Sequence, residues 1–237
     1  MKRLMFSMMV IALSSGAMAA GANYDVIHAA SVRGDIAAVE AACKEIGDSP
    51  DMAYQGAYCD YRIAYAAMHH QEDAAMKNQA KLALERAAKL LQSDAGAQDE
   101  KRAETLALLS LTYGLQIALD GSRGFTLGPK SWEVAGEAEK IAPANPRVLL
   151  AKAGNLMYTP ALFGGDTQKA AKTLEDAVNA YPARPAVDNW GLDDAHMNLA
   201  LVKLRLKQYD AARSELQQVL ALSPEHAWAK HLLSMLP

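Results

Sequence analysis

One spacing of residues constrains the fold of this chain more than any other feature: small and large apolar side chains recur at helical intervals ahead of a proline. The pattern follows Asp210 and Asp166 and is shorter in two other stretches. Its members are Ala211, Ala212, Leu216, Val219, Leu220 and Pro224; Ala170, Ala171, Leu174, Ala177, Val178 and Pro182; Ala135, Ala138 and Pro143; and a weaker set, Ala80, Leu84 and Ala87. Each predicts the second helix of a pair, which the proline ends. The repetition predicts a stack of helical hairpins.

The rest of the chain is also predicted to be helical. Alanine is frequent, aromatic residues make up only 6% of the chain and β-branched runs are scarce, which favours helix over sheet. We predict helices over 24–32, 35–46, 52–70, 73–92, 98–119, 131–141, 146–158, 167–180, 191–207, 209–222 and 225–235. Predicted N-caps are Asp35, Asp51, Ser131 and Asp166, and the longest loop is predicted over 121–129.

This spacing resembles the tetratricopeptide repeat, a family of two-helix repeats. The best copy spans residues 193–224, where Leu199, Ala200, Ala212, Leu216, Val219 and Pro224 stand at the positions of the motif. It departs from the motif at His196, where tryptophan is usual, and at Lys203, where tyrosine is usual. The resemblance implies an all-α superhelical stack of helical hairpins, a solenoid whose concave face binds a protein or a peptide.

The first nineteen residues are typical of a signal peptide. Lys2 and Arg3 precede an apolar run from Leu4 to Leu13, and Ala17 and Ala19 supply the small residues of a cleavage site. The run is about half as long as a membrane-spanning helix. The alternative, a buried N-terminal helix, would need an apolar stripe that the segment lacks. We therefore predict residues 1–19 as a signal peptide, residues 20–237 as one helical-repeat domain, and a periplasmic or secreted protein without a membrane anchor.

The charge of the mature chain argues against nucleic acid as a partner. Removing Lys2 and Arg3 leaves 22 basic and 27 acidic residues, a net charge of −5. No basic block is present, and binding to phosphate backbones depends on such blocks.

Two cysteines, Cys43 and Cys59, lie on consecutive predicted helices. An even number in an exported protein favours a disulfide. Their offset along the two helices is at the edge of what a disulfide tolerates, so a bridge and two buried thiols both remain open.

The sequence contains little that points to catalysis. His69 and His70 are adjacent on a predicted helix and point about 100° apart, so they cannot chelate one metal ion together. The chain has no HExxH, CxxC, GxSxG or Walker motif. We predict a protein that is not an enzyme, with no catalytic residues, no metal site and no cofactor.

Four tyrosines, Tyr54, Tyr58, Tyr61 and Tyr65, stand on one side of a predicted helix. They can pack in the core or line a binding groove. Ala80, Leu84 and Ala87 can be aligned with the small–large–small residues of the later repeats. This alignment indicates which positions would line the inner groove in the repeat family. In that register the predicted binding residues are Tyr58, Tyr65, Tyr113, Gln116, Lys152, Asn155, Met197 and Arg205.

The most distinctive loop runs from Tyr158 to Asp166 and contains Phe163, Gly164 and Gly165. It resembles hairpin loops of exported bacterial repeat proteins, including the T component of tripartite periplasmic transporters, which contacts a substrate-binding protein. The simpler interpretation is a loop that only shapes one hairpin. The functional hypotheses are a periplasmic scaffold for an unidentified protein or peptide, a small-molecule-binding component of a periplasmic uptake system, and a hydrolase with a dispersed site.

Overall fold

The computed structural model describes residues 15–44, 46, 52–70, 72–93, 99–181 and 190–237, with side chains from Tyr24 onward. Residues 1–14 of the predicted signal peptide lie outside this part of the chain. The predicted cap Asp51 and the helix-ending Pro182 also lie outside it.

Within the described residues the chain forms eleven α-helices and no strand, which confirms the predicted all-α fold. Short 3-10 turns occur at Met68–His70, Gly121–Arg123 and Ala161–Phe163. None of the described helices combines the length and the hydropathy that crossing a membrane requires. The helices are α1 (Ser15–Arg33), α2 (Ile36–Cys43), α3 (Ala53–Ala67), α4 (Ala74–Ser93), α5 (Glu100–Leu119), α6 (Gly124–Ile141), α7 (Pro146–Tyr158), α8 (Thr167–Ala180), α9 (Leu192–Arg205), α10 (Tyr209–Leu222) and α11 (Ala227–Met235).

Polar side chains that precede several helices accept hydrogen bonds from the first free backbone N–H groups. This arrangement satisfies donors that have no partner inside the helix. The capping pairs are Asp35 with the N–H of Ala38, Asp99 with that of Arg102, Asn145 with that of Arg147, and Asp166 with that of Lys169. The predicted caps Asp35 and Asp166 are confirmed.

The predicted loop over 121–129 and the predicted cap Ser131 are wrong. The chain makes one 3-10 turn and enters α6 at Gly124, so Pro129 lies inside a helix. Proline deprives the carbonyl of Phe125 of its helical hydrogen bond, but Phe125 is 84% exposed and water can take that place. Ser131 is buried in α6 and hydrogen-bonds Ser110 and Asn155.

Consecutive helices pair into hairpins, and neighbouring hairpins stack on one another. The repeated apolar residues form these contacts. Three described members of the sequence pattern, Val178, Ala211 and Leu220, are half-buried, and the other alanine, leucine and valine members are buried. They are Ala80, Leu84, Ala87, Ala135, Ala138, Ala170, Ala171, Leu174, Ala177, Ala212, Leu216 and Val219. Small residues let helix backbones approach, and the central leucines fill the space between them. The structure therefore confirms the predicted stack of hairpins.

The two ends of the stack meet. Helix α1 contacts α11, and residues of α1 and α3 form ion pairs with the beginning of α9. The N-terminal helices are thereby joined to α9 and α11. An isolated repeat pattern does not predict such a contact, since it describes only neighbouring repeats.

A disulfide joins Cys43 in α2 to Cys59 in α3, with the two Cα atoms 5.9 Å apart. It links the N-terminal hairpin to the first long hairpin of the stack. Of the two alternatives that the sequence left open, the structure has the bridge.

Candidate functional site

The tyrosine side of α3 is covered. Tyr58 is fully buried, and its ring centroid lies 4.9 Å from that of Tyr24 in α1 and 4.9 Å from that of Trp190. Burial raises the pKa of the Tyr58 hydroxyl, and of the half-buried Tyr65 hydroxyl, well above the usual range. Tyr58 is therefore a core residue and not an accessible groove residue, because α1 and Trp190 occupy the space in front of it.

Three further predicted binding residues are buried with partners inside the protein. The Tyr113 hydroxyl accepts a hydrogen bond from Gln92 at 2.7 Å, and the Gln116 amide donates to the carbonyl of Leu84 at 2.9 Å. Met197 is 3% exposed and packs in the core around α10. All three side chains hold helices together, and Tyr113 and Met197 do not line an open groove.

The last three predicted binding residues lie nearer the surface. Lys152 forms an ion pair with Glu139 at 2.6 Å, and Asn155 accepts a hydrogen bond from Ser131 at 2.7 Å. Arg205 is exposed, donates to the carbonyl of Met157 and stacks 5.0 Å from the ring centroid of Tyr158. The eight residues thus do not combine into one open concave surface.

A group of buried and half-buried polar residues, here called the end cluster, joins the two ends of the stack. It consists of His28, Arg62, Asp193, Asp194, Ser223 and His226. The His28 imidazole and the Ser223 hydroxyl both contact a carboxylate oxygen of Asp193. Arg62 donates to Asp194 at 2.9 Å. The cluster therefore connects α1, α3, the start of α9 and the turn before α11.

Two features stabilise the ionised carboxylates of the end cluster. Asp193 and Asp194 lie in the first turn of α9, where the helix dipole favours negative charge. Burial raises the pKa of Asp193, but His28, Ser223 and Arg62 outweigh burial and lower that pKa well below its usual range. Burial likewise opposes the charge of Arg62, yet Asp194 and the surrounding tyrosines raise its pKa.

His226 is the neutral member of the end cluster. Its side chain is fully buried, and Nδ1 accepts the backbone N–H of Ala229, which caps α11. Burial lowers the pKa of His226 to about 4, although Asp193 and Asp194 act in the opposite direction. The Nε2 atom is buried and has no hydrogen-bond partner among the described residues.

The end cluster also contains the described residues whose spacing would best suit a metal ion. The His28 imidazole and the carboxylates of Asp193 and Asp194 lie within 4.8 Å of one another. Arg62 already neutralises Asp194, and His28 and Ser223 already bind Asp193. A second cation would meet the buried guanidinium, so we assign this group to ion pairing.

An open cleft lies elsewhere, between α4, α5 and the 3-10 turn Gly121–Arg123. Its volume is about 420 Å³, within the range of small-molecule sites. Ala74 and Leu119 supply apolar surface, and Leu84 lies buried at the wall of the cleft. The polar residues that line it are Lys77, Asn78, Lys81, Gln116, Asp120 and Arg123.

The charge at the cleft is mainly positive. Lys77 and Lys81 are exposed, stand one helical turn apart on α4, and have no ion-pair partner among the described residues. Arg123 lies 3.4 Å from Glu85, and Asp120 caps the turn by accepting from the N–H of Ser122. Two unpaired ammonium groups beside apolar surface suit a ligand that is apolar in its body and anionic at one edge.

Most of this cleft was not predicted from the sequence. Gln116 is the predicted binding residue that lines it, and the others were not singled out. The i, i+4 spacing of Lys77 and Lys81 could have indicated a positively charged binding surface, but lysines at that spacing are common on solvated helix faces. The cleft also needs the turn at 121–123, which the sequence suggested as the start of a long loop.

The loop from Tyr158 to Asp166 is tightly built. Gly164 has φ of +100°, and a Cβ on Gly165 would lie 1.7 Å from the carbonyl oxygen of Thr159, so both positions require glycine. Leu162 is 88% exposed and Phe163 is 62% exposed. The backbone of the loop therefore fixes the shape of the hairpin. Its two large apolar side chains, Leu162 and Phe163, face solvent.

Comparisons with known proteins show the class of fold. The chain is similar to the HusA haemophore from Porphyromonas gingivalis, with a TM-score of 0.55 and 27% identity over 84% of this chain and 96% of that one. It is also similar to a thermophilic TPR protein of Thermus thermophilus, with a TM-score of 0.50 and 18% identity over 85% and 88% of the two chains. No family model matches the chain, and neither does any curated protein. The protein thus has a TPR-like helical-repeat fold.

Proposed function

We propose that this protein is an exported helical-repeat binding protein that holds a small amphiphilic anion in the cleft between α4 and α5. The observation that supports this most directly is the combination of apolar surface from Ala74 and Leu119 with the amines of Lys77 and Lys81, which form no ion pair among the described residues. Apolar contact provides affinity for such a ligand, and the ammonium groups orient its anionic edge.

The ligand class that we propose is a tetrapyrrole such as haem, which has a flat apolar ring and carboxylate groups at one edge. The likeness to a haemophore covers nearly all of that chain and supports this choice over other amphiphilic anions. The residues that line the cleft include no histidine, methionine, cysteine or tyrosine. The ring and the carboxylates, and not the iron, therefore provide the contacts in this proposal.

A blocking substitution tests the site. Ala74 lines the cleft and is exposed, so Ala74→Trp should fill the cleft and weaken haem binding by at least about tenfold, which is about 1.4 kcal/mol. Ala75 is the next residue, equally exposed and not part of the lining, so Ala75→Trp is the matched control. Binding is followed by the change in haem absorbance on titration. Equal affinity in the two variants would exclude the cleft as the site.

A charge substitution tests the orientation of the ligand. Lys77→Ala with Lys81→Ala removes two exposed amines, each worth up to about 1 kcal/mol with a carboxylate, so affinity should fall about tenfold. Lys169→Ala with Lys172→Ala is the control, because these lysines are exposed on α8 and already pair with Asp166 and Asp176. Metal-free protoporphyrin should bind and should lose affinity in the same way. No binding of either porphyrin by the wild-type protein would reject the ligand class.

A protein partner is the second candidate function. The observation in its favour is the exposed apolar pair Leu162 and Phe163 on a rigid loop. The loop also provides the resemblance to the T component of tripartite transporters. If a protein docks here, Leu162→Ser with Phe163→Ser should abolish co-purification of that protein from periplasm, whereas Ala74→Trp should not.

The exported location is part of the proposal and has its own test. If residues 1–19 are a signal peptide, the protein recovered from periplasm or medium should begin near Ala20. Mass spectrometry of the intact protein measures this directly. An uncleaved protein in the cytoplasmic fraction would contradict export.

A further inference from the structure

We propose that the end cluster is an acid-sensitive clasp, which closes the two ends of the superhelix over the tyrosine side of α3. This inference is independent of the ligand proposed for the cleft. It concerns the contacts that α1 and α3 make with the start of α9 and with the turn before α11.

The clasp joins parts of the chain that the repeat architecture does not join. His28 and Asp193 are 165 residues apart, and Arg62 and Asp194 are 132 residues apart. In a solenoid each repeat is held mainly by its neighbours. The contact between the ends is made in addition to these nearest-neighbour contacts. Its loss would leave the contacts between neighbouring hairpins intact.

The clasp covers a defined surface. On one side lie Tyr58 and Arg62 of α3, and on the other lie Trp190 and the two aspartates. The Trp190 ring is packed between the Tyr58 ring at 4.9 Å and the guanidinium of Arg147, which lies 4.5 Å from the Trp190 centroid. Separation of the ends would expose Trp190 and Tyr58 to water. The disulfide between α2 and α3 would keep the N-terminal hairpin attached throughout.

The chemistry of the clasp makes it sensitive to single changes of charge. Arg62, Asp193 and Asp194 are each less than one tenth exposed. A buried ion pair is stable only while both partners remain charged, because loss of one leaves the other buried without compensation. Arg33 and Glu225 at the rim lie 3.9 Å apart and are more exposed, so they contribute little.

His226 is the first group through which acid favours the open form, because it binds a proton more readily when the clasp is open. This imidazole faces Asp193 and Asp194 from α9, His28 from α1 and Arg62 from α3. In the closed form its pKa is about 4, whereas an imidazole in water has a pKa of about 6.5. The open form therefore binds a proton more readily as the pH falls from about 6.5 to about 4. Protonation also turns Nδ1 into a donor and breaks the cap on Ala229.

Asp193 acts in the same direction at lower pH. His28, Ser223 and Arg62 hold its pKa below the usual range in the closed form, and opening would return it to about 3.9. The open form therefore takes up a proton as the pH approaches that value, and the closed form loses stability. The two groups together predict opening on moderate acidification.

Quenching of Trp190 fluorescence tests the clasp. Trp132 and Trp228 are replaced by Phe in the full chain, and acrylamide quenching is measured from about pH 7.5 to about pH 4.5, around the imidazole titration range. The quenching constant should rise about threefold or more, while circular dichroism shows unchanged helix content. Protection of Trp190 throughout this range, or exposure only together with loss of helix, would overturn the proposal.

Two variants separate the clasp from a general loss of stability. Asp194→Asn removes the partner of Arg62 and should raise quenching already at neutral pH. Asp60→Asn is its matched control. Asp60 is 8% exposed and Asp194 is 7% exposed, and Asp60 also binds an arginine, Arg86, but between the neighbouring helices α3 and α4. Equal quenching in these two variants would overturn the proposal.

His226→Gln is the milder test and keeps an acceptor for the N–H of Ala229. Because glutamine does not titrate, the opening transition should move to lower pH in this variant. An unchanged transition would show that His226 does not set it and would contradict the proposed acid sensitivity.

Discussion

At the scale of single residues, Tyr58 shows how the environment decides the role of a side chain. Its ring is buried between two aromatic rings, while its hydroxyl has no hydrogen-bond partner among the described residues. A buried hydroxyl without a partner costs about 1–3 kcal/mol. Tyr58→Phe should therefore leave the free energy of unfolding unchanged or raise it by about 1 kcal/mol.

Tyr58→Ala should instead lower the free energy of unfolding by about 3–5 kcal/mol, because it opens a cavity in the core. Urea denaturation measures both variants, and Tyr209→Phe is a control at a tyrosine that is 43% exposed. If Tyr58→Phe were as destabilising as Tyr58→Ala, the hydroxyl would have to bind an important partner and the core assignment would fail.

The sequence could not decide between core and groove for the tyrosines of α3. Their helical spacing places them on one side of α3, and that prediction holds. Which side is covered depends on Tyr24 and Trp190, which are separated from Tyr58 by 34 and 132 residues along the chain. The repeat register assumes that the inner face is open. The contact between the ends of the stack covers the tyrosine side of α3, so the assumption does not hold there.

At the scale of helices, apolar periodicity and capping residues predicted most elements of the structure. The small–large–small pattern marks the buried side of α4, α8 and α10, because tight helix packing requires small residues at the crossing. The beginning of α6 was missed because Gly124 and Pro129 are typical of loops. Phe125 is exposed, so water can bind the carbonyl that the proline leaves without a helical partner. The cleft was missed for the same reason.

The disulfide between α2 and α3 allows a prediction at the same scale. It closes a loop with a sequence separation of 16, and cross-linking a loop of that length stabilises a fold by about 3 kcal/mol. Reduction should lower the free energy of unfolding by about that amount, as measured by urea denaturation with and without a reductant. Cys43→Ser with Cys59→Ser should show no effect of the reductant. Full alkylation of both cysteines in unreduced exported protein would contradict the bridge.

At the scale of the whole molecule, the stack is closed by its last helix. Helix α11 places Ala229 in the core with Leu216 and Val219 of α10, and Leu232 packs against the same cluster. Its cap His226 belongs to the end cluster, so α11 both covers the final hairpin and supports the contact with α1. Because α11 has both roles, we expect it to contribute more to the free energy of unfolding than the terminal repeat of an open solenoid does.

Deletion of residues 225–237 tests this role. The truncated chain should expose the apolar side of α10 and lose the support of the end cluster, so its melting temperature should fall by several degrees, at about 2–4 °C for each kcal/mol lost. It should also aggregate on size-exclusion chromatography, because an uncovered apolar face promotes association. Lys230→Ala, a substitution of an exposed residue on the same helix, is the control and should behave like the wild-type protein. A truncated chain that stays monomeric with an unchanged melting temperature would show that α11 neither caps the stack nor supports its closure.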